Sequence, residues 1–425
     1  MTDVGERPKA RRAALAFIFV TLLIDVLSFG VIIPVLPHLV KELIGGDVST
    51  ASHWVGVFGT VFALIQFVTT PIQGMLADRF GRRPVILLSC LGLGLDFIFM
   101  ALAPTLAWLF VGRVISAITS ASFTTANAYI ADVTPPAERA KSYGMLGAAF
   151  GLGFIVGPLI GGVLGDIDLR LPFWFSAAMA LINVTYGWLI LPESLPPERR
   201  STRFDWSQAN PLGSLKLLAS YRQVLGLAVV VFIAHLAHYV YPSVFVLFAD
   251  YQFAWGQKEV GYVLAAAGVL GIIVNVGLVG RLVKKIGERG ALLFGLGFGG
   301  MGFAVYGLAD EGWIFLIGLP ISALWGVAAP ATQALITRLV APDVQGRIQG
   351  GLSSLMAMAG ILGPTIFAES FGYFVADERA VKLPGVPFFI GSFLLVVALV
   401  LAHRFAPRSS STTAGAPPEA TRDAA

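Results

Sequence analysis

Residues 74–85 read GMLADRFGRRPV, and a second stretch, GRLVKKIGERG at 280–290, repeats its plan 206 positions further on. Gly74, Leu76, Gly81 and Arg83 fall on Gly280, Leu282, Gly287 and Arg289, and the same offset sets Pro136 on Pro342, Gly144 on Gly350 and Gly157-Pro158 on Gly363-Pro364. One register through several loops and helices marks a chain built from two parallel copies of one unit. Residues of the first stretch each have a local role. Gly74 permits close helix contact, Asp78 ends a helix, Gly81 turns the chain, and Pro84 suits the first turn of the next helix. Arg79, Arg82 and Arg83 beside Asp78 make a charge latch that one half can close on the other, although a bias of basic residues to one side of a membrane accounts for bare arginines as well.

Outward from this stretch the chain is apolar. Its 425 residues are 56% hydrophobic and 13% charged, more apolar side chain than a watery surface tolerates. A crossing of the hydrocarbon layer takes about 20 apolar residues, and twelve such runs begin near residues 14, 52, 84, 106, 141, 172, 222, 258, 290, 312, 347 and 385. The expectation is an all-α integral membrane protein of twelve transmembrane helices in two six-helix pseudo-symmetric halves, 14–192 and 222–403. Between them, 193–221 is a polar, Pro-bearing linker; 1–13 is a cytoplasmic N-terminal segment and 404–425 a disordered tail. The basic N-terminal segment leads into an apolar run that continues through Asp25 with no small-residue cleavage site, so it reads as a retained first span.

Net charge is +4, but the cations sort by side of the membrane rather than forming a nucleic-acid surface. Of 29 Lys and Arg only five (Lys41, Arg170, Lys258, Arg379 and Lys382) fall in the alternate loops, and Arg113 alone lies within a span. The remainder, among them Arg7 to Arg12, Arg199 to Arg203 and Lys284 to Arg289, place both termini in the cytoplasm by the positive-inside bias. The single cysteine, Cys90, excludes a disulfide framework and a thiolate metal site. No G-x4-GK-[ST] phosphate cradle is present, which makes an ion gradient the energy source, and no clustered histidines or paired carboxylates suggest an enzyme.

Charges at mid-bilayer cost several kcal/mol (about 2.5–3.5 on insertion scales), so each one is a functional candidate. Asp25 and Asp96 both stand about twelve residues into their spans, near half-depth. Burial favours the neutral form of a carboxyl group, so such an aspartate can hold a proton and release it when a cationic or metal-chelated solute arrives. Arg113 can restrain an aspartate or bind anionic groups of the solute; a structural ion-pair network fits the same three residues. His235 and His238, at i and i+3, share a helix face and can carry protons or serve as satisfied hydrogen-bonders. Tyr239, Tyr241 and Trp325 offer aromatic faces to a flat ligand.

Two stretches carry a resemblance. The 74–85 loop resembles the signature of the major facilitator superfamily, and the string Gly144, Gly153, Gly157-Pro158, Gly161-Gly162 resembles the antiporter motif of its drug exporters. The segments LIDVLSFGVIIPVLPHL (23–39), YIADVTPPAER (129–139), LPES (191–194) and PATQ (330–333) look like those of tetracycline efflux proteins. The resemblance implies a proton-driven antiporter in a bacterial inner membrane without cofactor or resident metal, its small-molecule substrate able to arrive as a metal chelate, and a monomer is the default for two halves that already form the cleft. It implies roles for Asp25, Gln66, Asp96 and Arg113 in transport, and for Asp78, which holds the outward-facing state through its arginine neighbours and the start of span eleven near Arg347. Where tetracycline exporters carry a histidine in span eight this chain has Gly271 or its neighbours, and span nine has no acid; His235 and His238 can stand in for them. Export of an ordinary metabolite is the competing reading.

Overall fold

The computed structural model describes residues 6–119, 122–135, 138–201, 218, 222–341 and 344–408. Pro136 and Pro342 of the repeat, Arg203 with most of the 193–221 linker, and the tail beyond Arg408 lie outside the described residues.

Span one is Glu6–Ile32, followed by a short helix, Leu36–Leu43. Spans two and three are Val48–Phe80 and Arg82–Leu102; span four runs through Leu106–Thr119 and Ser122–Val133; spans five and six are Arg139–Ile167 and Leu171–Ile190. In the second half, span seven comprises Arg222–His238 and Val240–Phe253, and span eight begins as Gln257–Ile272 and continues through a π-helical stretch, Ile273–Leu278. Helix Val279–Leu308 finishes span eight and forms span nine. Span ten is Gly312–Ala323, a 3₁₀ turn Leu324–Val327, and Ala328–Leu339; spans eleven and twelve are Gln345–Val375 and Val386–Phe405.

Eleven helical runs, not twelve, are long and apolar enough to cross a membrane among the described residues, because Gln257–Leu308 is continuous over 52 residues. At 1.5 Å per residue that run is about 78 Å long, enough for two crossings of a roughly 30 Å layer. Gly287, at φ 72° and ψ 170°, breaks it into spans eight and nine. Its counterpart in the repeat, Gly81, has φ 107° and breaks spans two and three in the same way. Both turns use a left-handed conformation that L side chains resist, so the repeat read in the sequence is a repeat of backbone geometry.

Small residues set the packing, as expected where apolar lipid gives helices no hydrophobic reason to associate. Span five lies on span one: a Cβ added to Gly153 would meet Val26 at 2.7 Å, and one added to Gly157 would meet Gly30 at 2.8 Å. In the other half span eleven lies on span seven, with Gly360 and Gly363 against Tyr239. The halves meet along two symmetric seams. In one, Gly56 and Gly59 of span two pack on Pro364 and Ala368 of span eleven; in the other, Gly162 of span five packs on Gly261 of span eight.

Candidate functional site

The expected polar groups of the first half fall in two places. Asp96 is fully buried, and Arg113 Nη1 stands 3.2 Å from its Oδ2. Gly112 makes the approach possible, since a Cβ there would come within 2.8 Å of Asp96 Oδ1. The guanidinium also lies over the Phe62 ring, 4.6 Å from its centroid. Gln66 is one helical turn beyond Phe62 on span two, which puts it on the face that meets this pair. The pair is thus an ion contact roofed by an aromatic ring, one helical turn from Gln66.

Asp25 sits apart. Its Oδ1 accepts from Asn183 Nδ2 of span six at 3.3 Å, and the same amide reaches Cys90 Sγ of span three at 3.6 Å. Cys90 and Asp96 are six residues apart on one helix, so the two aspartates are separated by about 9 Å along the span axis.

In the second half His235 and His238 stack with centroids 6.2 Å apart. Pro320 and the 3₁₀ turn that follows it carry Trp325 onto His238, at 5.7 Å between rings, with Tyr241 at 6.2 Å; Tyr239 meets His235 at 5.7 Å. Behind them Tyr306 Oη and Ser322 Oγ are 2.6 Å apart, and Tyr241 donates to the same Oγ at 3.4 Å. The histidines therefore lie in an aromatic nest with a hydroxyl chain at its back, in the half opposite the aspartates.

The latch loop is bound within its own half. Asp78 pairs with Arg82 at 2.6 Å, and Arg82 Nε reaches Asp132 at 3.2 Å. Ser194 Oγ also donates to Asp132, at 3.1 Å. Glu193 crowns the start of span three, its Oε1 accepting from the Arg82 backbone N–H at 2.8 Å and its Oε2 from that of Arg83 at 3.3 Å, a carboxylate set favourably against a helix N-terminus. Arg83 donates to the Trp188 carbonyl. Three segments far apart in the chain, 74–85, 129–139 and 191–194, thus converge on one charged knot, which the sequence did not reveal.

Among the described residues no ion pair joins this loop to span eleven, and the expected approach of Asp78 to the region of Arg347 is not made in this conformation. The reason is that the halves touch at the opposite end. Lys41 pairs with Asp250 at 2.5 Å, His53 with Glu369 at 2.5 Å and Asp166 with Lys258 at 3.9 Å, each across the seam. Ser52 Oγ donates to the Ala368 carbonyl at 2.7 Å, and Thr60 Oγ1 lies 2.8 Å from Thr365 Oγ1. Burial beside this seam lowers the His38 pKa, with Asp250 opposing and Lys41 reinforcing the shift, so His38 is neutral next to the Lys41–Asp250 pair. At the latch end a Cβ on Gly74, Gly144, Gly280 or Gly346 meets none of the described residues within 4 Å. The antiporter string is divided accordingly. Gly153, Gly157 and Gly161 face span one, Gly162 faces span eight, and Gly144 faces open space. Among the described residues, the ion pairs that join the halves all lie at one end, away from the latch loop.

Cysteines at positions 60 and 365, in a chain carrying Cys90→Ser, are expected to form a disulfide on oxidation and to stop transport, which reductant restores. Undiminished transport by the cross-linked protein would mean that this end never opens.

Two repeated helical bundles joined by ion pairs at one end, with ionisable side chains buried at mid-span, define a secondary carrier that works by alternating access. The chain matches the family described as Major Facilitator Superfamily over residues 18–364. It is 35% identical to the class C tetracycline resistance protein of Escherichia coli over 400 residues, covering 94% of this chain and 99% of the relative, and 32% identical to the class H protein of Pasteurella multocida, covering 92% and 96%. The crystal structure of the human organic anion transporter MFSD10 (TETRAN) superposes with a TM-score of 0.66 at 23% identity, covering 92% of this chain and 99% of that one, and shows the same fold. The chain belongs to the major facilitator superfamily and is closely related to the bacterial tetracycline resistance proteins. It is a proton-coupled secondary transporter of amphipathic solutes; among the described residues no group of three or more His, Cys, Asp and Glu could hold a metal ion.

Proposed function

We propose that the chain exports tetracycline, or a flat amphipathic drug like it, from the cytoplasm in exchange for protons. The observation that carries this reading is the pair of carboxylates, Asp25 and Asp96, buried at mid-span in one half of a carrier whose relatives at 32–35% identity are tetracycline resistance proteins. The distribution of Lys and Arg puts the latch loop and both termini in the cytoplasm, so the conformation described is inward-facing and receives drug from that side. Drug entering the cleft displaces a proton from Asp25; Arg113, held by Asp96 and Phe62 with Gln66 beside it, receives anionic groups of the drug. Tyr239, Tyr241 and Trp325 stack on its rings, while His235 and His238 take the place of the span-eight histidine and span-nine acid of tetracycline exporters. A metal ion, where one is involved, arrives with the drug as its chelate.

Closing the latch end brings Asp78, Arg79, Gly81, Arg82 and Arg83 to span eleven and parts the Lys41–Asp250, His53–Glu369 and Asp166–Lys258 pairs, opening the far side. Gly144, Gly153, Gly157, Pro158, Gly161 and Gly162 give span five the smooth faces on which the halves rock. The repeat units 14–192 and 222–403 act as the moving bodies, joined by the 193–221 linker, and one chain suffices because both walls of the cleft come from it.

The deciding experiment is the minimum inhibitory concentration of tetracycline and of an unrelated drug panel in an efflux-deficient bacterium expressing the protein. A rise for tetracycline is the expected outcome. No rise for any drug, with the protein present in the membrane, would sink this reading in favour of export of an ordinary metabolite.

A further inference from the structure

Span eight leaves the α-helix at its π-helical stretch, Ile273–Leu278, and span ten leaves it at the 3₁₀ turn Leu324–Val327. The two departures face each other: a Cβ added to Gly326 would meet Asn275 Nδ2 at 3.4 Å and Val274 Cγ1 at 3.7 Å. A π-helical turn gives up regular helical geometry and is found most often at functional sites. This one carries a single polar residue, Asn275, whose Nδ2 donates to the Gly271 carbonyl at 2.9 Å.

Asn275 is exposed although it lies deep in its span. At 1.5 Å per residue it stands about 14 Å along the axis from Lys284 and about 26 Å from Lys258, the cations that flank span eight, so its carboxamide is at hydrocarbon depth. A polar group there is costly against lipid tails and is found instead facing the bundle interior or a water-filled cavity. Its neighbours agree. Gly261, Gly268 and Ile272 meet Gly162, Ile155 and Gly151 of span five, and Asn275 continues that row three positions beyond Ile272. With span five on one side and Gly326 of span ten on the other, the side chain faces the cleft between the halves. Trp325, the residue before Gly326, is the ring that lies on His238.

The repeat shows what a purely structural group does at this position. At the offset of 206, Asn275 falls on Thr69 of span two. Thr69 Oγ1 donates to the Ile65 carbonyl at 2.9 Å and to the Ala117 carbonyl of span four at 3.1 Å, so its hydroxyl ties two spans together. In the second half the longer carboxamide, among the described residues, donates only within its own span. One N–H and the side-chain oxygen are turned to the cleft.

We infer that Asn275 is a substrate-binding residue of the second half, offering a donor and an acceptor to neutral hydroxyl, carbonyl or carboxamide groups on the edge of a flat solute whose rings lie on Trp325 and Tyr241. The inference rests on the reading of the chain as an exporter of such a drug. Charged groups of the solute belong to the first half, with Arg113. Asn275 therefore selects among solutes of similar shape by where their neutral polar groups stand, since a site built to hydrogen-bond a group rejects analogues that lack it.

The experiment has two arms, both on the full chain in inverted membrane vesicles. In the first, Asn275→Cys in a chain carrying Cys90→Ser is treated with a water-soluble maleimide; labelling is expected, and tetracycline is expected to slow it. In the second, Asn275→Thr keeps the bond to the Gly271 carbonyl, as Thr69 keeps its own to Ile65, but withdraws the groups turned to the cleft. Its KM for tetracycline is expected to rise about fivefold with kcat near wild type, the effect of one neutral hydrogen bond made equally in ground and transition states. Asn275→Ala is expected to show the same rise and keeps the test open where Thr impairs insertion. A merely structural role predicts a wild-type KM in Asn275→Thr. No labelling, labelling that tetracycline leaves unchanged, or an unchanged KM would each overturn the inference, while uptake by the wild type keeps the export reading standing. If wild-type vesicles take up no tetracycline, that reading fails and the inference falls with it.

Discussion

Asp96→Asn is expected to deplete the folded protein severely, and Arg113→Gln far less. The two residues are partners in one buried contact, with side-chain exposures of 0% and 10%, but they fail differently. Without Asp96 the guanidinium remains charged in the protein interior, because arginine does not give up its proton. Breaking a buried pair in this way costs about 3–5 kcal/mol, more than a hundredfold in a folding equilibrium. Without Arg113 the carboxyl group can take up a proton and become neutral, which removes most of the penalty. The double variant Asp96→Asn with Arg113→Gln is expected to insert and fold like wild type and yet to transport poorly. The yield of monodisperse protein after solubilisation measures this. Equal losses in the two single variants would contradict this asymmetry, and no loss in either would show that the contact is not energetically important.

Asp25→Asn has the second large expected effect, and it falls on coupling rather than on folding. Asn is close in shape to a protonated Asp, and Asn183 can still donate to its side-chain oxygen, so the spans should pack unchanged. What is lost is the exchange of a proton for the solute. In inverted membrane vesicles with a proton gradient, uphill tetracycline accumulation by the variant should fall to the level of vesicles without the protein. Accumulation within about twofold of wild type, a margin worth less than about 0.5 kcal/mol, would remove Asp25 from the mechanism and pass the role to Asp96 or the histidines.

These two residues differ from their partners in how far the sequence reveals them. Both aspartates stand out because a charge in an apolar run is costly wherever the helix packs. The span count was legible for a similar reason: each run of about 20 apolar residues is a local signal. So was the repeat, whose turning glycines at 81 and 287 carry their backbone requirement in their identity. The continuity of spans eight and nine over 52 residues was not legible, because a glycine turn in the sequence does not say whether the helical hydrogen bonding on either side runs up to it.

The side-chain partners were hidden for a different reason. Asn183 lies 158 residues from Asp25 and 93 from Cys90, and a lone carboxamide among apolar residues announces nothing about what it faces. Glu193 is part of a stretch that resembles tetracycline exporters, yet its place over the start of span three depends on the chain after span six folding back across Gly81. The seam that is closed here could not be read at all. An alternating carrier encodes both conformations in one chain, and the pairing of Lys41 with Asp250 or His53 with Glu369 belongs to only one of them. The approach of Asp78 to span eleven, expected of the outward-facing state, is not made in the conformation described.

Proton-coupled drug exchange is tested most directly by reconstituting the purified protein in liposomes with equal pH on both sides, imposing a tetracycline gradient, and following internal pH with a trapped dye. Tetracycline entering the liposomes is expected to drive protons out and make the interior more alkaline, with the response lost in Asp25→Asn and absent without protein. Tetracycline crossing through the protein with no movement of protons would contradict the exchange.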